Sequence, residues 1–131
     1  MSVPQFLLVC LGGAVGTGIR YVLAQKLPLL LGTGFPYATL TVNVVGSFLI
    51  GVLMYLGLNT ELLPPVARLT LTTGLLGGLT TYSTFNYETL ELFRRGAWGL
   101  GALNLSLTVS VCLIAGLAGM AAGDWLTGLR L

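Results

Sequence analysis

The chain has 131 residues, of which 55% are apolar and only 8% are charged: six Lys and Arg, four Asp and Glu, and no His. Soluble domains have about a quarter of their residues charged, so this chain has about a third of the usual number. A small soluble globule needs more polar surface than this, and disordered proteins are less apolar. Two Cys are too few for a disulfide scaffold. The composition therefore indicates an integral membrane protein.

Four uncharged stretches indicate where the membrane is crossed: 1–19, 27–60, 69–87 and 96–123. A membrane-spanning helix needs about 20 largely apolar residues, so each stretch holds one span. The first part of the second stretch is interrupted by helix breakers, which are Pro28, Gly32, Gly34 and Pro36. We therefore predict an all-α protein with a single membrane domain, 1–131, and four spans at 4–25, 36–58, 65–94 and 98–123.

One subunit of four helices, with no His, no Lys inside a span and short loops, encloses an aqueous path poorly. We therefore predict an oligomer. Small residues favour close helix contacts, and they form stripes in span one and span four: Gly12 and Gly16, then Gly116, Gly119 and Gly123. Such stripes usually serve helix packing and carry no chemistry.

The distribution of Lys and Arg leaves the orientation in the membrane open. If the spans alternate, one side receives four basic residues, which are Arg20, Lys26, Arg94 and Arg95. The other side receives Arg68, Arg130 and the amino terminus. Cytoplasmic loops normally hold a clear excess of Lys and Arg, and here the excess is weak. Insertion in both orientations, which permits an antiparallel dimer, and insertion in a single orientation are equally compatible with these charges.

The middle of span three has a sequence that weakens a helix. Paired glycines precede paired threonines there: Gly77-Gly78-Leu79-Thr80-Thr81. We predict a break within 77–81. Backbone carbonyl groups freed in lipid are costly unless they find partners, which are either the hydroxyl groups of the neighbouring Thr and Ser side chains or a bound cation. The alternative is a kink that only lets a neighbouring helix pack closely.

Polar side chains in three spans fall on common helix faces. In span two they are Thr39, Asn43 and Ser47, and in span four Asn104, Thr108 and Cys112. In span three the shared face carries two aromatic rings and a carboxylate, which are Tyr82, Phe85 and Glu88. A buried amide in lipid must find partners or water. The pattern predicts a polar track of amides, hydroxyls and rings without a cationic side chain at the midplane. The alternative to such a track is that these polar side chains only form hydrogen bonds that hold neighbouring helices together.

Three motifs occur in order along the chain: Gly12-Gly13-x-x-Gly16-x-x-x-Arg20-Tyr21, Thr39-x-x-x-Asn43-x-x-Gly46-Ser47-Phe48-x-x-Gly51, and Gly77-Gly78-x-Thr80-Thr81-Tyr82-Ser83-Thr84-Phe85. In this order they resemble the Fluc (CrcB) fluoride channels over essentially the whole chain. The resemblance implies an antiparallel, dual-topology homodimer in the cell inner (plasma) membrane, with two pores and a structural Na⁺ at the dimer centre. It implies passive export of fluoride from the cytoplasm, which lowers fluoride toxicity, and no nucleic-acid partner.

The resemblance also implies roles for individual residues. Asn43 resembles the pore amide that donates a hydrogen bond to fluoride, and Phe85 the second of two pore rings. Gly77 and Thr80 resemble the positions whose backbone carbonyls hold Na⁺. Thr39, Glu88 and Thr108 fall where the family has a polar track. Arg20 resembles the arginine of the family's vestibule. Two departures from the family also fall on the fluoride pathway: Tyr82, where the first ring is commonly Phe, and Asn104, at a position that is sometimes Tyr.

Three other functions are alternatives to a fluoride channel. A proton-coupled small exporter of cationic drugs, or a fluoride/proton antiporter, needs a carboxylate deep in a span; span one has none, and Glu88 lies toward one end of span three. A non-transporting assembly subunit would not need a continuous polar track. We do not expect an enzyme, since the sequence has no His, no metal-ligand cluster and no pair of nucleophile and base. Cys10 and Cys112 lie in apolar spans and are expected to be packing residues.

Overall fold

The computed structural model describes residues 1–128; Arg130, used in the charge comparison, lies outside them. Its helical segments follow one another with short connections. In chain order they are α1 (Val3–Leu31), α2 (Tyr37–Asn59), α3 (Pro65–Leu69), the π-helical segment π1 (Thr70–Leu76), α4 (Gly77–Leu79), α5 (Tyr82–Arg94) and α6 (Trp98–Gly128).

The first helix is longer than the predicted span 4–25. It begins with a cap in which Ser2 Oγ accepts a hydrogen bond from the backbone N–H of Gln5 at 3.3 Å, and it continues to Leu31. Pro28, expected to be a breaker, lies inside its last turn. The missing N–H of Pro28 costs a single bond there, and the helix ends only at Gly32, whose φ of 90° favours glycine.

The third span of the prediction, 65–94, is two half-helices. The first half-helix (65–79) is made of α3, π1 and α4, and the second is α5. Between them Thr80 and Thr81 are extended, with ψ angles of 154° and 117°. The break lies inside the predicted interval 77–81, where glycine has made a continuous helix unfavourable.

The glycine stripe of α6 packs against α2. A Cβ atom added to Gly119 would overlap the carbonyl oxygen of Phe48, and one added to Gly123 would lie 2.9 Å from Cβ of Tyr55. Gly51 of α2 lies in the same way against the α6 backbone, since a Cβ atom added to it would lie 3.0 Å from the nitrogen of Met120. The two backbones can approach this closely only because these positions have no side chain.

The glycine stripe of α1 packs against the first half-helix. A Cβ atom added to Gly12 would lie 2.7 Å from the carbonyl oxygen of Thr70, and one added to Gly16 would overlap that of Leu75. From the other side, a Cβ atom on Gly74 would lie 2.7 Å from the carbonyl oxygen of Val9. Both stripes that the sequence assigned to helix contacts therefore serve contacts within one chain.

The outer surface of the described part is apolar. The buried apolar core is small, consisting of Val42, Leu76, Leu79 and Phe85, while α6 alone exposes Leu113, Ile114 and Leu117 to 66%, 64% and 67%. Three helices are long and apolar enough to cross a bilayer: Val3–Leu31, Tyr37–Asn59 and Trp98–Gly128. Such a surface suits lipid and not water, so the chain is an all-α membrane protein.

Candidate functional site

The break in the third span is held by a side chain from α2. Asn43 Nδ2 donates a hydrogen bond to the carbonyl oxygen of Thr81 at 3.0 Å, and Asn43 Oδ1 accepts one from the N–H of Thr81 at 2.8 Å. One amide therefore satisfies both backbone groups of a residue that has left the helix. The sequence predicted partners for the freed backbone but did not predict this one.

Hydroxyl groups make two further hydrogen bonds at the break. One goes to a carbonyl oxygen that already accepts the N–H of Thr80 and the other caps an N–H, so they do not pair the freed carbonyl groups as one predicted remedy required. Thr80 Oγ1 donates to the carbonyl oxygen of Leu76 at 2.8 Å. Thr81 Oγ1 caps α5 by accepting a hydrogen bond from the N–H of Thr84 at 3.3 Å. Within residues 1–128, no hydrogen bond is found to the carbonyl oxygens of Gly77 and Thr80.

A groove of about 550 Å³ lies on the outer side of the break. Its walls come from α2, the first half-helix, α5 and α6, and they include six predicted site residues: Asn43, Gly77, Thr80, Tyr82, Phe85 and Thr108. The rings of Tyr82 and Phe85 meet edge to face, with centroids 5.7 Å apart. Phe85 is buried, with 5% exposed, whereas Tyr82 is 76% exposed.

A second cavity, of about 640 Å³, lies on the other side of the break. Three predicted residues line it: Arg20, Thr39 and Glu88. Thr39 Oγ1 donates to Glu88 Oε1 at 2.9 Å, and Glu88 Oε2 is buried without a hydrogen-bond partner. Thr81 lines both cavities. The residue that Asn43 holds therefore borders both the groove and this cavity.

Charged residues line the second cavity and not the groove. Glu91 Oε1 binds Arg95 Nε at 2.9 Å, and Glu91 Oε2 lies 3.4 Å from Arg94 Nε. Both arginine side chains are largely exposed, so these pairs contribute little to stability. The residues that line the groove, among them Asn43 and Thr81, carry no formal charge.

Asn104 lies apart from both cavities. It is 1% exposed, and its Nδ2 donates to Thr89 Oγ1 at 2.8 Å. Thr89 Oγ1 in turn donates to the carbonyl oxygen of Phe85 at 2.7 Å. The sequence analysis did not single out Thr89. Its position four residues after Phe85, where a threonine hydroxyl reaches the preceding turn, was the signal available.

Sequence comparison places this architecture in a family. The family model described as CrcB-like protein, Camphor Resistance (CrcB), matches residues 7–120, which is most of the chain. This chain belongs to the CrcB family.

Curated CrcB-family relatives cover nearly the whole chain. Each of the following is named Fluoride-specific ion channel FluC. The protein of Sorangium cellulosum is 50% identical over 110 residues, 84% of this chain and 87% of its own. The protein of Anaeromyxobacter sp. (strain K) is 47% identical over 124 residues, which are 95% of this chain and 98% of its own. That of Chlorobaculum tepidum is 49% identical over 129 residues, 98% of each chain.

The predicted site residues of this CrcB-family chain therefore form two groups on either side of Thr81. The groove brings together the amide, the rings and the candidate Na⁺ carbonyls, and the second cavity brings together Arg20, Thr39 and Glu88. Asn104 joins neither group, and it reaches the groove only through Thr89 and Thr108.

Proposed function

We propose that this chain is a passive fluoride channel of the cell inner (plasma) membrane, which exports fluoride from the cytoplasm and is not an enzyme. The observation that carries the proposal is the Asn43–Thr81 pair, an uncharged polar junction between two cavities that are lined by the predicted pathway residues. The names of the CrcB relatives agree with it.

The chemistry of the groove suits a small, strongly hydrated anion. Fluoride must exchange its water for hydrogen-bond donors at close range, and donors without fixed charge let it leave again. Asn43 Nδ2 has two N–H groups, of which Thr81 takes one. Thr108 supplies a hydroxyl group on the same groove. The positive ring edge of Phe85 favours an anion, whereas the face of the ring would repel it.

The proposal includes four spans per chain and an antiparallel, dual-topology homodimer. The two half-helices together extend from Pro65 to Arg94, which is long enough for a crossing that neither makes alone. The groove is open on the outer surface, where Gly77 and Tyr82 are exposed. A second copy in the opposite orientation would cover this groove, including the carbonyl oxygens of Gly77 and Thr80, which a lipid chain cannot satisfy.

A structural Na⁺ at the dimer centre is also part of the proposal. Sodium is a hard cation that prefers oxygen ligands, and the carbonyl oxygens of Gly77 and Thr80 are free of hydrogen bonds in the described part of the chain. The residues present therefore fit such an ion. When bound, Na⁺ would supply a positive charge that satisfies these carbonyls and joins the two subunits.

Fluoride efflux from reconstituted liposomes tests the proposal. Vesicles loaded with potassium fluoride are diluted into fluoride-free medium, and released fluoride is followed with an electrode. A passive channel releases fluoride only after a potassium ionophore allows compensating charge to flow. Vesicles loaded with chloride serve as the control for selectivity. No fluoride release with the ionophore present would refute the proposal.

The same assay separates the channel from the proton-coupled alternative. Glu88 favours that alternative to a limited extent, because its Oε2 is buried without a partner. A fluoride/proton exchanger moves an anion out and a proton in, so it transfers charge in every cycle and also needs the potassium ionophore, but it couples fluoride movement to the pH gradient. Fluoride movement against its own gradient, driven by a pH gradient while the potassium ionophore holds the membrane potential near zero, would therefore point to exchange and not to a channel.

A further inference from the structure

Two residues outside both cavities connect the walls of the groove. Thr89 of α5 is 6% exposed and Asn104 of α6 is 1% exposed. Their hydrogen bond, Asn104 Nδ2 to Thr89 Oγ1 at 2.8 Å, is the one found between α5 and α6 within residues 1–128. We name this pair the Thr89–Asn104 clasp.

The clasp ends on the groove at both sides. On α5, Thr89 Oγ1 donates to the carbonyl oxygen of Phe85 at 2.7 Å. On α6, Asn104 Oδ1 accepts from Thr108 Oγ1 at 3.4 Å. Phe85 and Thr108 both line the groove, whereas the two clasp residues do not. The clasp is therefore a buried polar connection from the backbone carbonyl of Phe85 to the hydroxyl group of Thr108, two residues that line the same groove.

The directions of these bonds follow from the number of protons. A threonine hydroxyl has one proton, and Thr89 gives it to Phe85, so Thr89 can only accept from Asn104. Asn104 must then use its NH₂ group toward Thr89 and its oxygen toward Thr108. The bond from Thr108 is long, so the Thr108 hydroxyl is held weakly and can turn its proton toward the groove.

Burial makes this arrangement stiff. An unpaired amide or hydroxyl group in an apolar interior is costly in free energy. Breaking the hydrogen bond between Thr89 and Asn104 is therefore unfavourable for both side chains. A threonine hydroxyl bound to the carbonyl four residues earlier also bends its helix slightly. Such a bond in α5 acts on the turn that carries Phe85, whose ring lines the groove.

On the basis of the proposed function, we propose that Thr89 and Asn104 are positioning residues of the fluoride path, which hold Phe85 and Thr108 at the groove without contacting the ion. Asn104 thereby acts through its neighbours and does not line the path itself.

Three substitutions test the clasp in the fluoride-efflux assay. Thr89→Val removes the hydroxyl at nearly constant shape, and Thr89→Ser keeps it. Thr41→Val is the matched control, since Thr41 Oγ1 donates to the carbonyl oxygen of Tyr37 at 2.7 Å and, among residues 1–128, makes no hydrogen bond to another helix. We expect about a tenfold lower flux for Thr89→Val, because the unpaired amide of Asn104 must rearrange. Thr89→Ser and Thr41→Val should conduct as the wild type does.

A second background separates positioning from stability. If Thr89 acts through the ring, Thr89→Val should cause no further loss of flux when Phe85 is already replaced by Ile. Its effect on the midpoint of thermal unfolding should persist in that background, since the buried bond to Asn104 is lost in both cases. A residue that only stabilises the fold would lower both quantities in both backgrounds.

Each outcome decides the inference. Wild-type flux in a folded Thr89→Val protein would overturn it, and so would an equal fractional loss in the Phe85→Ile background. Should Thr89→Val yield no folded protein, Asn104→Leu, which leaves the bond from Thr89 to Phe85 in place, must meet the same expectations. A wild type that releases no fluoride would overturn the proposed function and this inference with it, whereas a conducting wild type beside an unaffected Thr89→Val would overturn the clasp alone.

Discussion

Asn43 on α2 holds Thr81 through both of that residue's backbone polar groups, at 3.0 Å and 2.8 Å. The amide thus performs in this chain the task that a helical turn performs elsewhere, because it satisfies an N–H and a carbonyl group in an apolar interior. It also lines the groove. A residue with both tasks connects the stability of the break to the chemistry of the path.

We predict that Asn43→Ala lowers both fluoride flux and stability. The path loses a neutral donor where the ion is dehydrated, and each backbone group of Thr81 left unpaired costs about 1–3 kcal/mol. Flux is measured by efflux from liposomes, and stability by thermal unfolding in detergent. Asn59→Ala is the control, because Asn59 Nδ2 donates only to the carbonyl oxygen of Tyr55 in its own helix. Efflux of Asn43→Ala equal to that of the wild type, with intact dimers, would exclude the proposed role.

A second prediction concerns the two rings. Phe85→Ile should slow conduction, because an aliphatic side chain lacks the positive edge of a ring. Tyr82→Phe should have almost no effect, since it keeps the ring and the edge-to-face contact with Phe85 and removes only an exposed hydroxyl. Rates are compared at equal amounts of reconstituted dimer. A large effect of Tyr82→Phe would show that the hydroxyl takes part, and wild-type rates in Phe85→Ile would contradict the argument from the ring edge.

A third prediction uses two glycines of α6. Gly119→Ala should lower the free energy of unfolding by about 1–3 kcal/mol, because the added methyl group would overlap the carbonyl oxygen of Phe48. Gly99→Ala is the matched control in the same helix, since a Cβ atom there meets nothing within 4 Å. The midpoint of thermal unfolding checks both. Equal midpoints for the two variants would mean that α2 and α6 are not packed as closely as described.

The fourth prediction concerns the cation. Replacing Na⁺ by a large organic cation throughout purification should reduce the dimer fraction, the flux, or both, because the carbonyl oxygens of Gly77 and Thr80 would lose their partner. Gel filtration and the efflux assay measure the two effects, and returning Na⁺ should restore them. Dimers and flux that are indifferent to Na⁺ would show that these carbonyls have another partner.

The sequence predicted local features well because local chemistry determines them. The break follows from glycine pairs and threonines, and it occurs at Thr80 and Thr81, inside 77–81. The helix α2 begins and ends within one residue of the predicted span 36–58. Pro28 was expected to help interrupt the helix, but α1 continues through it and ends at Gly32. A proline in the last turn of a helix removes only one hydrogen bond, so the helix tolerates it.

Partners across helices were not predictable in the same way. Nothing in the spacing of Asn43 indicates that its amide is paired with Thr81, and nothing in span three marks Thr89 as the partner of Asn104. Both pairs depend on how the helices are rotated against each other. The rotation depends in turn on glycine contacts such as Gly12 with the backbone of π1, which a single sequence does not resolve into pairs.

The two extended residues between the half-helices, Thr80 and Thr81, also determine how α5 is rotated about its own axis. An α-helix turns by about 100° per residue, so the number of extended residues decides which face α5 presents. With two extended residues, Phe85 lines the groove while Glu88 lines the opposite cavity. Insertion or deletion of one residue at this point would rotate the ring and the carboxylate away from their places together, although every helix could still form.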